Sequence, residues 1–223
     1  ADEIALKSGV VKNSPLRIEN GIKYLLTKEA EDNGCTWASQ SFFKTNITKT
    51  LNLMFDEVKD TFKEMWTNEI IYVSDDKKRI ALKKYYDLEK NISDKLKNMQ
   101  QNKTEEYNEV EVNERIKQQE EAQGFEFTDE QKEAIHKVLE NNVSVICGNA
   151  GTGKTTVVKG FLSALPDRYS VALTSLSGQA SKRMSEATGY PASTIHRLLG
   201  FVPDIGFTYS DKNKLTQDVI ILD

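Results

Sequence analysis

Two hydrophobic patterns divide this chain. Up to about residue 102 the apolar positions recur every three or four residues; after Gly124 they gather into short runs separated by glycine-rich or polar stretches. Ser14 followed by Pro15 opens the first clear helix, with Leu16, Ile18, Ile22, Leu25 and Leu26 at near-helical spacing as far as Gly34. A second helical stretch carries Leu51, Met54 and Phe55, and a third carries Val58, Phe62 and Met65. EIIYVSDDKKRIAL then reads as two β-rich runs around a polar tip at Ser74 to Lys78, which predicts a hairpin. Tyr85, Leu88, Ile92, Leu96 and Met99 predict a closing helix before the pattern dissolves into Gln, Asn and Glu. In the second half the order is strand Val143 to Cys147, glycine loop, helix Lys154 to Leu165, strand Tyr169 to Thr174, helix Gly178 to Ala187 and strand Asp218 to Leu222. That alternation is how a parallel α/β sheet is written, and runs this apolar predict strands buried on both faces.

The predicted organisation is therefore a mostly helical domain over 1–102, an acidic linker over 103–122 and an α/β domain over 123–223. Helix, helix, hairpin in the first domain resembles a winged helix. Lys77, Lys78 and Arg79 at the wing tip could touch a phosphate backbone, but Asp75 and Asp76 offset most of that charge and a structural hairpin is the plainer reading. The net charge of -4 hides an asymmetry. Residues 103–122 hold seven Glu against Lys103, Arg115 and Lys117, whereas residues 141–200 hold six Lys and Arg against two acids. A length of 223 residues suits two small domains, and 38% hydrophobic with 29% charged residues excludes disorder throughout. Apolar runs fall far short of the roughly 18 residues of a membrane span. The opening ADEIALKSGV does not read as an export signal, and Cys35 and Cys147 have neither metal-ligand nor disulfide-framework spacing, so a reducing cytoplasm and no membrane partner are expected.

The candidate chemistry sits at GNAGTGKT, Gly148 to Thr155, which fits G-x-x-x-x-G-K-[ST] between an expected strand and an expected helix. Glycines permit a tight loop whose amides converge on phosphate oxygens, and the helix start adds its positive dipole end. Gly148, Asn149, Ala150, Gly151, Thr152, Gly153, Lys154, Thr155 and Thr156 are accordingly the candidate ATP-binding residues. Lys154 would reach the β and γ phosphates and the Thr155 hydroxyl would sit on Mg²⁺. A dinucleotide fold is disfavoured because the glycines fall as G-x-x-G-x-G. A P-loop ATPase also needs an acid at the end of a neighbouring strand to hold Mg²⁺ through water, and DVIILD ending at Asp223 supplies it. A chain that starts at Ala1 and stops at Asp223 is expected to be a fragment. Two other readings stand beside the ATPase: a P-loop kinase, which needs an acceptor lid that is not legible here, and an interaction module over 1–102 joined to an inert ATPase half.

From Phe127 to Asp223 the sequence resembles the RecD/TraA branch of superfamily 1 DNA helicases. FTDEQKEAI, Phe127 to Ile135, looks like the family's Q motif, which implies that Gln131 reads the adenine edge. A Gln does so by pairing its donor and acceptor with N6 and N7. LTSLSGQASKRMSEATG, Leu173 to Gly189, and ASTIHRLLG, Ala192 to Gly200, look like the motifs that contact single-stranded DNA. The resemblance implies DNA contacts at Thr174, Ser177, Gly178, Lys182, Arg183, His196 and Arg197, with Ser193 capping the helix that carries His196. For His196 a packing role is an equal reading. Relatives carry Pro-Thr-Gly-Arg where this chain has Leu176, Ser177, Gly178 and Gln179, so one expected positive charge is absent. ADEIALKSGV, RIENGIKYLL and the wing-like segment are similar to the family's helical domain. The implied whole is a RecA-like motor that hydrolyses ATP with Mg²⁺, moves 5' to 3' on single-stranded DNA and works with a second motor domain carrying an arginine finger.

Overall fold

A computed structural model describes residues 2–102 and 107–223. The chain forms two compact units, Ala1–Lys97 and Asn98–Asp223.

In the first unit, α1 (Asp2–Lys7) precedes α2 (Pro15–Asn33), which starts at its proline and ends on a left-handed Gly34. Then come β1 (Trp37–Ser39), α3 (Gln40–Leu51), α4 (Phe55–Thr67), β2 (Ile71–Val73) and β3 (Arg79–Leu82). Ser39 caps α3 by accepting the Phe42 N–H at 3.1 Å, and Asn52, left-handed at φ 51°, ends it. That cap corrects the expectation that Leu51, Met54 and Phe55 share a helix: the chain breaks at Asn52 and restarts at Phe55. The three strands form an antiparallel sheet in the order β1-β3-β2, so helix, strand, two helices and hairpin follow one another as in a winged helix. Ile18, Ile22, Phe43, Ile47, Val58, Met65, Ile71 and Ile80 fill its core. Gly21 is required there, since a Cβ would lie 2.5 Å from Leu51 Cδ2. The expected closing helix is α5 (Lys83–Gln101), but no residue of it is buried, and Leu88, Ile92, Leu96 and Met99 face solvent.

The second unit begins with α6 (Glu109–Gln123) and α7 (Asp129–Glu140). After the glycine loop follow α8 (Lys154–Ala164), β4 (Val171–Ser175), α9 (Gly178–Thr188), β5 (Ala192–Thr194), α10 (Ile195–Leu198), the two short strands β6 (Phe201–Val202) and β7 (Gly206–Phe207), and β8 (Val219–Leu222). Where an acidic linker is expected, the described residues form α6 instead, with Val112 and Ile116 buried against α8; residues 103–106 lie outside the described part. Spacing of four residues lets one face of a Glu-rich helix stay wet while the other joins the core.

β4 is the central strand of a parallel sheet in the order β5-β4-β8, with Leu173 opposite both Ala192 and Ile221. This is part of a RecA-like P-loop fold. Two expectations are corrected. Residues 143–147 form no strand: the Val143 N–H is taken by the Gln100 side chain at 3.0 Å, Val145 is 82% exposed, and Ile146 packs against the core. The run does not join either outer strand of the sheet, and its first N–H is satisfied by a side chain instead. Nor is every strand buried, since Ile220 and Leu222 on the uncovered face of β8 are exposed. No helix among the described residues is long and apolar enough to cross a membrane.

Candidate functional site

The site is assembled by the crossing of α7 and α8. Gly160 makes the close approach possible, because a Cβ there would lie 2.5 Å from Ile135 Cδ1 and 2.8 Å from Phe127 Cζ. The crossing carries the start of α7 to the glycine loop. Thr128 and Gln131 form a capping box at that start: Thr128 Oγ1 accepts the Gln131 N–H at 3.3 Å, and Gln131 Oε1 accepts the Thr128 N–H at 3.1 Å. The Gln131 amide nitrogen is thereby turned onto the loop, 2.5 Å from where a Cβ of Gly153 would stand.

The loop itself is closed on its own groups. Gly151 and Gly153 both take φ of 81°, which L side chains resist, and a Cβ at Gly148 would lie 2.5 Å from Thr152 Oγ1. Thr152 Oγ1 donates to the Asn149 carbonyl at 3.0 Å. Lys154 Nζ donates to the carbonyls of Gly148 and Asn149, at 2.8 Å each, so the ammonium stays at the loop with no carboxylate partner among the described residues. Gly153 then leads directly into α8, whose first residues are Lys154, Thr155 and Thr156.

These residues fit a nucleotide triphosphate with Mg²⁺. Side chains are excluded from the cradle at Gly148 and Gly153, a mobile cation lies at it, and an eleven-residue helix begins beside it. Thr155 and Asp223 are both exposed and offer the hard oxygen donors that Mg²⁺ takes, while most of its shell comes from phosphate and water. No group of three or more His, Cys, Asp or Glu that could hold a metal occurs among the described residues. Asp223 ends β8, and its N–H donates to the Thr174 carbonyl at 3.0 Å. Contact thus joins Gln131 to the loop, while no described hydrogen bond joins Asp223 to it.

The expected DNA-contact residues divide. Thr174 is corrected: it is 1% exposed on the central strand between β5 and β8, and its Oγ1 is buried without a partner, so the side chain cannot meet DNA. Ser177 caps α9, accepting the Ala180 N–H at 3.1 Å, and its carbonyl accepts the Ser175 hydroxyl at 2.8 Å. Gly178 opens α9 with no atom within 4 Å of a Cβ, so its backbone is approachable. Lys182 and Arg183 are exposed; Lys182 reaches Glu186 only at 3.8 Å, an exposed pair of little energetic weight. α10 is capped by Thr194, which accepts the Arg197 N–H at 3.3 Å, and not by Ser193. His196 lies edge-on to Phe201 at 5.5 Å and 6.0 Å from Phe207, whose rings are 5.0 Å apart. The motif reading misses this aromatic hairpin, although Pro203, Asp204 and Gly206 between two phenylalanines are a hairpin signal. Since β4, β5 and β8 are parallel, the turn at 176–178, α10 and Asp223 all leave from one edge of the sheet.

Residues 131–223 match the family model of an AAA domain. The chain is 34% identical over 126 residues to the RecBCD enzyme subunit RecD of Mycolicibacterium smegmatis, covering 45% of this chain and 22% of that protein. It is 33% identical over 98 residues to the ATP-dependent RecD2 DNA helicase of Deinococcus radiodurans, covering 44% of this chain and 14% of that protein. The second half of this chain is thus similar to part of RecD-type proteins. A further RecBCD enzyme subunit RecD, from Haemophilus influenzae, is 32% identical over 124 residues, 44% of this chain and 19% of its own length. The chain therefore spans about a fifth or less of these RecD-like relatives.

Proposed function

We propose that the protein to which this chain belongs is an ATP-dependent DNA helicase that couples ATP hydrolysis to 5' to 3' movement along single-stranded DNA. The observation that carries the reading is the glycine loop with Lys154 held on two of its own carbonyls and Gln131 set against Gly153. Bound ATP with Mg²⁺ supplies the phosphoryl group and neutralises charge on its oxygens; the residues of this chain position it. Lys154 would exchange the neutral Gly148 and Asn149 carbonyls for anionic phosphate oxygens, a stronger acceptor for its ammonium. The backbone N–H groups at the start of α8 complete the phosphate cradle. Gln131 Nε2 and Oε1 pair with the adenine edge, the Oε1 keeping one lone pair for the Thr128 N–H. Thr155 and Asp223 would hold Mg²⁺ with their oxygen donors. DNA is contacted by Ser177, the Gly178 backbone, Lys182, Arg183, His196 and Arg197, while Thr174 supports the turn from below.

Alone, this chain is expected to bind nucleotide weakly, to hydrolyse little and to unwind nothing, because the arginine finger belongs to a second motor domain. A titration of a fluorescent ATP analogue with Mg²⁺ into the chain and its Lys154→Ala variant, with and without oligothymidylate, tests the reading. Binding should weaken by at least about tenfold in Lys154→Ala, the loss of one charge-assisted contact or more. Equal affinity in both proteins overturns it, and brisk DNA-stimulated turnover by the unmodified chain overturns the expected inactivity.

A further inference from the structure

The sheet of the first unit has two faces. Ala38, Ile71, Val73, Ile80 and Leu82 point into the core, so by alternation Trp37, Tyr72, Arg79 and Ala81 occupy the other face. Register places Trp37, Ala81 and Tyr72 in one row across the three strands, with Arg79 two residues before Ala81 on the central strand. Ala81, only 5% exposed, forms a small floor between two aromatic side chains, whose strands are about 9–10 Å apart. Tyr72 stacks on Tyr86 of α5, ring centroids 3.6 Å apart and 12° from parallel. The Arg79 guanidinium lies 5.7 Å from the centre of the Trp37 ring. It also acts on Tyr72, whose phenol is held above its ordinary value chiefly by the hydrogen bond with Tyr86, Arg79 pulling the other way.

The charges around this row are uneven in their availability. Arg79 is exposed and makes no ion pair among the described residues, and Lys77 and Lys78 precede it on the turn. Asp76 is bent back into that turn, accepting the Ser74 hydroxyl and the Lys78 N–H, and Glu89 accepts the Thr36 hydroxyl. Lys83, 5.8 Å from the centre of the Tyr86 ring, is tied to Asp87; Asp75 and Asp76 remain as the opposing charges at the turn, Asp76 held low chiefly by the Ser74 hydroxyl and in part by Lys78 and Arg79. Trp37 keeps 46% of its surface in solvent. One exposed indole plane at Trp37, with the Arg79 planar cation beside it and the half-buried Tyr72–Tyr86 stack beyond Ala81, matches a ligand that carries flat rings on an anionic backbone and offers those rings unpaired.

We infer that the outer face of the β1-β3-β2 sheet is a second contact surface for single-stranded nucleic acid, with a base stacking on Trp37 and a phosphate held by Arg79. Duplex is disfavoured because its bases are not presented for stacking. The surface lies wholly within the first unit and does not depend on the ATPase reading.

The test uses the whole chain with Trp66→Phe, which leaves Trp37 as the single tryptophan of the original 2. Oligothymidylate of about ten nucleotides, within the usual span of such surfaces, is titrated while Trp37 emission and the anisotropy of the labelled strand are followed together. Emission should fall by about half or more as the strand binds, since a stacked base quenches indole. Arg79→Ser should weaken this quenching transition roughly tenfold and lower its salt slope by about one. The transition should persist when Lys154→Ala abolishes nucleotide binding, which separates its failure from failure of the helicase reading. Strand binding without any change at Trp37, no strand binding at all, or equal quenching by polyglutamate each overturns the inference. If Trp66→Phe does not fold, the difference between the unmodified chain and Trp37→Phe gives the same readout.

Discussion

Gly153 carries two demands at once. It holds a left-handed φ of 81° at the entry to α8, and a Cβ there would lie 2.5 Å from the Gln131 amide. Gly153→Ala should cost about 1–2 kcal/mol for the left-handed conformation alone. The displaced amide should weaken nucleotide binding further. Adding Gln131→Ala removes the second cost and leaves the first, so urea unfolding of the single and double variants separates them; full recovery of stability in the double variant would show that φ is unimportant here. The loop is legible in the sequence because its chemistry is local: spacing of Gly, Lys and Thr defines it. Thr174 is not. Its neighbours in sequence give no sign that β5 and β8 flank its strand and that its hydroxyl is buried there. The cap of α10 falls one residue later than its sequence suggests, since Ser193 and Thr194 offer the same hydroxyl and only the backbone decides which one faces the helix.

At the scale of elements, α6 is the largest departure from the pattern. Its Glu-rich composition reads as solvated, yet Val112 and Ile116, 4% and 3% exposed, stand one turn apart and pack on α8. Ile116→Ala should destabilise the second unit by about 2–4 kcal/mol, as a truncated core side chain does. A linker would tolerate the change with no shift in the urea midpoint, so denaturation followed by circular dichroism distinguishes the two. Elements with clear end signals are legible: α2 from Pro15 and Gly34, α7 from Thr128 and Gln131, α9 from Ser177 and Gly189. Residues 143–147 read as a strand on β propensity, which measures fit to a neighbouring strand more than a preference of the segment itself. β5 escapes the pattern because Ala192, Ser193 and Thr194 carry no apolar run.

Across the whole molecule carboxylates held low set the response to acid: in the first unit Asp76 is lowered by the Ser74 hydroxyl and the Lys78 N–H. In the second, the Glu120 carboxylate accepts from Lys132 at 2.9 Å and from the Phe127 N–H at 2.8 Å, and both contacts, Lys132 the larger, hold it below the usual carboxylate range. Asp218 is lowered likewise by the Ser170 hydroxyl and N–H. A carboxyl depressed in the folded state contributes stability that is present above its unfolded value and lost as pH falls through the folded one. The second unit should therefore lose stability below about pH 4.5. Glu120→Gln should lower its melting temperature at pH 7, flatten its decline between pH 5 and pH 3, and leave the first unit unchanged; an unaltered pH profile would rule out the pair as its cause. A division into two units, a glycine loop and an acid-tipped strand are all legible in the order of residues, whereas the aromatic row at Trp37 depends on register across three strands that no single segment encodes. The parallel sheet has one more consequence. With the turn at 176–178, α10 and Asp223 all leaving the carboxyl ends of three bonded strands, the sheet is a common chassis: the three exits are anchored to one hydrogen-bonded ladder, so a tilt at any one of them has to strain bonds that also hold the others.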